Sequence, residues 1–211
     1  MTLRRLLVAT GNRGKLCEFK AVLDGIVEIV CPDEAGLEFK DVEEGVDYAE
    51  NARMKAEVYR KQFNDLICGE DSGLEIDALE GRPGPLSARY GGEEMPHREK
   101  CKMILAELAD IPMYERTARF RATIALIDSG RVETFEGVLE GWIGFEYRGD
   151  KGFGYDPIFI PRGFSRTNAE LGMIVKNRIS HRAKAIRKLA EYLKGKTSIT
   201  TKGTKFPEKR Q

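Results

Sequence analysis

The chain has 211 residues, enough for one domain with a substantial core or for two small lobes. Its 35 Lys and Arg nearly cancel 34 Asp and Glu, for a net charge of +1. No whole-molecule field therefore exists to draw in nucleic acid or a membrane surface, and any anion site must be local. Cys17, Cys31, Cys68 and Cys101 show no CxxC spacing and read as reduced cytosolic thiols rather than a disulfide or zinc framework. No apolar run approaches the ~20 residues of a membrane span, and Met1 to Arg5 lead straight into a strand-like run without a signal-peptide pattern.

In chain order, Leu6-Leu7-Val8-Ala9 reads as the first strand. Thr10-Gly11-Asn12-Arg13-Gly14-Lys15 follows, and then a helix with Leu16, Phe19, Ala21, Val22 and Leu23 facing a core. Strand, glycine loop and helix is a layout that aims backbone N–H groups at an anion, with Lys15 as an added point charge. The loop matches neither a Walker A motif nor GxGxxG, and a plain turn with a solvated Lys15 is the competing reading. Residues 26–30 are a second strand, and residues 31–44 a polar, acidic connection. Residues 45–63 are helical, with Ala49, Ala52, Ala56, Tyr59 and Phe63 on one apolar stripe. Glu50 and Asn51 sit near its start, where an acid is favoured electrostatically whatever its function.

Leu66-Ile67-Cys68 is a short buried strand. It delivers Gly69-Glu70-Asp71-Ser72-Gly73-Leu74-Glu75-Ile76-Asp77-Ala78, read as a glycine-flanked turn carrying adjacent acids and a hydroxyl. A carboxylate at a strand end can hold Mg²⁺ or take a proton from water, and an ordinary acidic turn is the alternative. Residues 79–92 are a Pro- and Gly-rich loop, and residues 97–109 a helix with Cys101, Ile104, Leu105 and Leu108 inward and His97 on the surface. Residues 118–127 and 132–138 form a hairpin across Asp128-Ser129-Gly130, with 142–147 extending the sheet. Phe153-Gly154-Tyr155-Asp156-Pro157 is a turn that offers either a slot for a flat ring or an aromatic-packed corner. Ser180 caps a helix whose first turn carries His181 and Arg182, cations set against the helix dipole. Its core side is Ile186, Leu189, Ala190 and Leu193, and residues 196–211 form a basic, mobile tail.

Five motifs thus stand in order: Thr10-Gly11-Asn12-Arg13-Gly14-Lys15, Glu50-Asn51-Ala52, Glu70-Asp71-Ser72-Gly73-Leu74, Phe153-Gly154-Tyr155-Asp156-Pro157 and Ser180-His181-Arg182. Together they closely resemble the non-canonical purine nucleoside triphosphate pyrophosphatases, the inosine triphosphatase or dITP/XTP pyrophosphatase family. The match runs from residue 6 to residue 193. The resemblance implies an elongated two-lobed α/β fold with a long mixed sheet flanked by helices and a nucleotide cleft between the lobes. It divides the chain into a domain at 1–196 and a tail at 197–211. It implies hydrolysis of ITP, dITP and XTP to the monophosphate and pyrophosphate with Mg²⁺, by a cytoplasmic homodimer with no membrane or stable nucleic-acid partner.

By the same resemblance, Thr10, Gly11, Asn12, Arg13, Gly14 and Lys15 hold the triphosphate, and Asp71 is general base and metal carboxylate. Glu43 is the second metal carboxylate, with Glu44 the neighbouring alternative. Ser72, Phe153, Gly154, Tyr155, Asp156, Lys176, His181 and Arg182 bind the nucleotide. Leu86 stands where the family often has tyrosine, and Glu70 where aspartate is common. The alternatives are a Maf-like nucleotide pyrophosphatase of other base preference and a nucleotide-binding regulatory module without turnover.

Overall fold

The computed structural model describes residues 3–40, 42 and 47–200, with side chains as far as Lys196. β1 (Arg5–Val8) is an apolar strand buried beyond its first residue. α1 (Arg13–Leu23) starts where the Asn12 side chain accepts the Lys15 N–H at 3.1 Å. β2 (Glu28–Val30) is shorter than the predicted 26–30, and α2 (Tyr48–Glu57) is shorter than the predicted 45–63. Its stripe nevertheless packs as expected, with Ala52, Ala56, Tyr59 and Phe63 buried although the chain beyond Glu57 turns.

The largest correction concerns the acidic stretch. It is not a turn: β3 runs unbroken from Leu66 to Ile76. The backbone of Gly69 to Gly73 pairs with Ala125 to Arg121 of β5 (Thr117–Asp128), so its peptide groups are satisfied in a ladder. β4 (Pro83–Gly84) pairs with β3 only at Leu74 and Glu75, and β1 pairs with it only as far as Cys68. Between those points β3 has β5 on one edge and, among the described residues, no paired strand on the other. Glu70, Asp71 and Ser72 lie there.

α3 (His97–Glu107) follows the loop, and β6 (Arg131–Ile143) returns antiparallel to β5 across a turn with positive φ at Ser129 and Gly130. β7 (Phe159–Pro161) pairs with Gly141 to Ile143. The sheet order is β2-β1-β3-β5-β6-β7, parallel at β1 and antiparallel from β3 onward. α4 (Asn168–Leu171) and α5 (Met173–Ile179) lead to α6 (His181–Thr200), where Ser180 Oγ accepts the Ala183 N–H at 3.0 Å. The helix thus carries past Lys196, and the rest of the predicted tail, 201–211, lies outside the described residues.

Three apolar clusters hold the layers. One joins α1 and α6 to one sheet face through Phe19, Leu66, Ile124, Ile186 and Leu189. A second, under α2 on the opposite face, includes Leu7, Ile67, Ala56 and Tyr59. A third fills the other lobe around Leu74, Cys101, Ile104, Phe120, Tyr155 and Phe159. Among the described residues, no helix is long and apolar enough to cross a membrane.

Two glycines set the helices that carry the site. A side chain on Gly69 would begin 2.0 Å from the Ala52 carbonyl oxygen of α2, and one on Gly137 would begin 2.0 Å from the His181 carbonyl oxygen of α6. Both obstacles are backbone, so the helix itself would have to move. Gly137→Ala is expected to cost about 2–3 kcal/mol, typical of overpacking, and to lower activity because the first turn of α6 is displaced. Urea unfolding checks this, and unchanged stability would contradict the close approach.

Candidate active site

A cleft of about 540 Å³ opens beside the unpaired edge of β3. Alternation along β3 sends its acids in opposite directions. Glu70 and Ser72 face α1 and α6, whereas Asp71 faces α2. The pair of acids that looks like one site in the sequence is therefore divided between two networks.

On the first face, Glu70 is 2 % exposed and is held by Lys15 Nζ at 2.7 Å and by Arg182 Nε at 2.9 Å. Burial by itself would raise its pKa, but the charges of Arg182, Lys15 and Lys55 prevail and hold the carboxyl well below the usual range. Lys15 is thus not a solvated turn residue. Arg182, 2 % exposed, also gives Nη1 to Glu18 Oε1 at 3.0 Å and Nη2 to Ser72 Oγ at 2.9 Å. Three of the five N–H groups of a guanidinium are so engaged among the described residues.

His181 is 5 % exposed and its ring lies flat on Phe120, with centroids 4.9 Å apart. Burial, and then the Arg182 charge, hold its imidazole well below the usual histidine range. This favours the neutral imidazole, whereas the sequence reading took His181 as a cation set against the helix dipole. Arg182, the remaining cation, is offset by Glu18 and Glu70. The buried Nδ1 of His181 has no hydrogen-bond partner among the described residues.

On the second face, Asp71 is 2 % exposed, and its oxygens accept Asn51 Nδ2 at 3.1 Å and Lys55 Nζ at 2.9 Å. The sequence reading counted Asn51 in the Glu50-Asn51-Ala52 motif, with helix-end electrostatics as the plain alternative, but gave it no site role and did not single out Lys55. Their spacing of i, i+4 puts both on one face of α2, and a lysine inside that apolar stripe was the available signal. Glu18, likewise missed, shows no such signal, because only the approach of α6 buries it. Glu43 and Glu44 lie outside the described residues.

Phe153 also lines the cleft, half-buried, with Lys176 Nζ 3.9 Å and the Arg182 guanidinium carbon 5.6 Å from its ring centre. Asp156 serves the turn from within: it accepts the Phe153 N–H at 2.9 Å, Asn168 Nδ2 at 3.1 Å and Lys176 Nζ at 2.5 Å. Tyr155 belongs to the core, its hydroxyl bonded to the Ser87 carbonyl at 2.8 Å, so Phe153 alone of the two rings stands half-open. His97 is exposed, as expected, yet it lines the cleft edge-on to Tyr155 at 6.1 Å. Thr10, Gly11, Asn12, Lys15, Ser72, Gly154, Tyr155, Asp156, Lys176, His181 and Arg182 also line it, Tyr155 as a buried wall. Arg13, Gly14 and Asp71 do not, although Lys55 beside Asp71 does. Arg13 is exposed, and Gly14 sits behind the ring of Phe153.

Residues 6–192 match the model of the Ham1 family. A dITP/XTP pyrophosphatase of Bacillus subtilis is 44 % identical over 193 residues, covering 90 % of this chain and 98 % of the relative. A dITP/XTP pyrophosphatase of Porphyromonas gingivalis is 43 % identical over 192 residues, covering 90 % and 98 %. Among solved structures, a HAM1 protein from Coxiella burnetii superposes with a TM-score of 0.83 at 36 % identity, covering 92 % of this chain and 100 % of that one. The Staphylococcus aureus Ham1 protein gives 0.82 at 34 % identity, with the same shares.

Proposed function

The chain belongs to the Ham1 family, and we propose that it hydrolyses the deaminated purine triphosphates ITP, dITP and XTP to the monophosphate and pyrophosphate, clearing them from the nucleotide pool. The observation that carries this reading is the set of groups that the cleft brings together: a half-open aromatic ring, Phe153, beside Lys176 and Arg182, with Lys15 and Lys55 lining the same space and the Asp71 carboxylate behind Lys55. That arrangement suits a flat base on the ring and a polyphosphate on the lysines.

In the proposed reaction, water attacks the α-phosphorus. A bond forms from the water oxygen to phosphorus, the α-β bridging bond breaks, and pyrophosphate departs. Asp71 orients the water and takes its proton, held in place by Asn51 and Lys55. Lys15 and the N-terminus of α1 receive phosphate oxygens. Mg²⁺ takes hard oxygen donors, often one or two carboxylates plus phosphates, and the buried Asp71 carboxylate is such a donor. Asp71 and Glu43, or its neighbour Glu44, would hold the ion, which supplies charge neutralisation of the triphosphate when bound.

Selectivity follows from donors aimed at the purine 6-position. Hypoxanthine and xanthine present an oxygen there, and adenine an amine. The guanidinium N–H groups of Arg182 suit an oxygen, and His181 Nδ1 adds a buried polar atom that needs a partner. The same proposal takes the chain as a cytoplasmic homodimer whose catalytic domain is 1–196. The four free cysteines support a reducing compartment.

The test is a panel of XTP, ITP, dITP, GTP and ATP with Mg²⁺, assayed separately for pyrophosphate and orthophosphate. XTP, ITP and dITP are expected to release pyrophosphate, with ATP slower by about 10⁴ as unpaired polar groups dictate. Orthophosphate as first product, or equal turnover of ATP, would overturn the reading.

A further inference from the structure

Phe39 stands on the connection after β2, at the mouth of the cleft, with 39 % of its surface exposed. The ring is closely seated. Its carbons lie 3.2 to 3.4 Å from the point where a side chain on Gly11 would begin. The backbone on either side of it is tied to a single buried phenol: Tyr59, 1 % exposed, accepts the Lys40 N–H at 3.0 Å and donates to the Glu38 carbonyl at 3.2 Å. Leu37 packs into the same apolar cluster as Tyr59. An exposed aromatic ring fixed from the core at the lip of a pocket is a surface prepared for a ligand.

The start of α1 adds a second relation. Gly14 faces the ring of Phe153, 3.3 Å from where its side chain would begin, just as Gly11 faces Phe39. Two phenylalanines therefore lean on two glycines, Gly11 in the loop after β1 and Gly14 in the first turn of α1. Phe153 is the ring beside Lys176 and Arg182, and Phe39 lies at the other glycine.

We propose that Phe39 is a substrate-contacting residue that covers the sugar and adjoining phosphates of the nucleotide over Gly11, and that Tyr59 is its positioning residue. The inference rests on the nucleotide hydrolysis proposed above. Placed over Gly11 rather than beside Phe153, Phe39 would contact the parts common to every accepted purine nucleotide, so its contribution is the same for each. It belongs to the bound ground state and the transition state alike, so it acts on KM rather than kcat.

Phe39→Ala is expected to raise KM for XTP and for ITP alike by about tenfold and to leave kcat within about threefold. Phe39→Leu should recover part of that loss. Tyr59→Phe keeps a ring in the core but removes both backbone ties, and should raise KM in the same direction by about threefold. A purely structural role for Tyr59 would lower the melting temperature without moving KM. Unchanged KM in Phe39→Ala, or a change confined to one base, would overturn the inference. If the wild-type chain shows no turnover, the hydrolysis reading fails separately. Calorimetric titration with XMP then decides this one: weaker binding to Phe39→Ala upholds it, and equal binding overturns it.

Discussion

Asp71→Asn is expected to lower the rate of pyrophosphate release from XTP by at least about 10²–10⁴, the usual worth of a positioned general base. The asparagine keeps the size of the side chain and one acceptor oxygen, so the contact with Lys55 or Asn51 is weakened rather than emptied. The variant should therefore unfold cooperatively, with its secondary structure intact by circular dichroism. It should also bind XMP within about tenfold of the wild type, because the residues proposed to hold the base are untouched. Single-turnover kinetics with XTP are the direct measurement. Activity within tenfold of the wild type would transfer the base role to another group. Loss of XMP binding in parallel with activity would instead make Asp71 a residue of the binding site.

Arg182→Met should have the largest effect on stability. It removes a buried guanidinium from between Glu18 and Glu70, which are 1 % and 2 % exposed. Breaking a buried ion pair typically costs about 3–5 kcal/mol, because the surviving charge is left without a partner. For a chain of this size that is a fall of roughly 10 °C in melting temperature. The pH dependence identifies the cause. The native pKa of Glu70 is depressed by its cations, so the stability it contributes is present above the unfolded value, about 4.3, and is lost as pH falls below it. Without Arg182 less of that depression remains. The stability deficit of the variant is therefore greatest near neutrality and shrinks progressively as pH falls below about 4.3 toward the depressed native value, as protonation of Glu70 removes the charge that the guanidinium offsets. A deficit that stays constant over this range would mean that lost packing, not charge, is responsible. Base selectivity is the second readout: relaxed discrimination between ITP and ATP is expected from whatever activity remains.

The local signals in the sequence were read well where periodicity and burial agree. The hairpin across Asp128-Ser129-Gly130 and the inward stripe of α6 emerged as expected, whereas α1 begins at Arg13, inside the stretch read as a glycine loop. The acidic stretch was misread because glycine has two uses. Gly69 and Gly73 suggested a bend, but they clear space on one face of a straight strand, for Ala52 and for Gly84 and Ser87. Nothing local distinguishes those uses, since the obstacle comes from another part of the chain. The same holds for His181, whose preference for the neutral form follows from burial and a neighbouring guanidinium rather than from its place in the helix.

By itself the sequence determined the order of the motifs, the α/β class and the family, because ordered residue types survive without any knowledge of contacts. Tertiary structure alone decided which groups act together. Glu70 and Asp71 are neighbours in the chain, yet strand alternation sends one to Lys15 and Arg182 and the other to Asn51 and Lys55. Charges interact through space and through whatever medium surrounds them, and only packing of α1, α2 and α6 on the sheet sets both the distance and the dryness of those pairs.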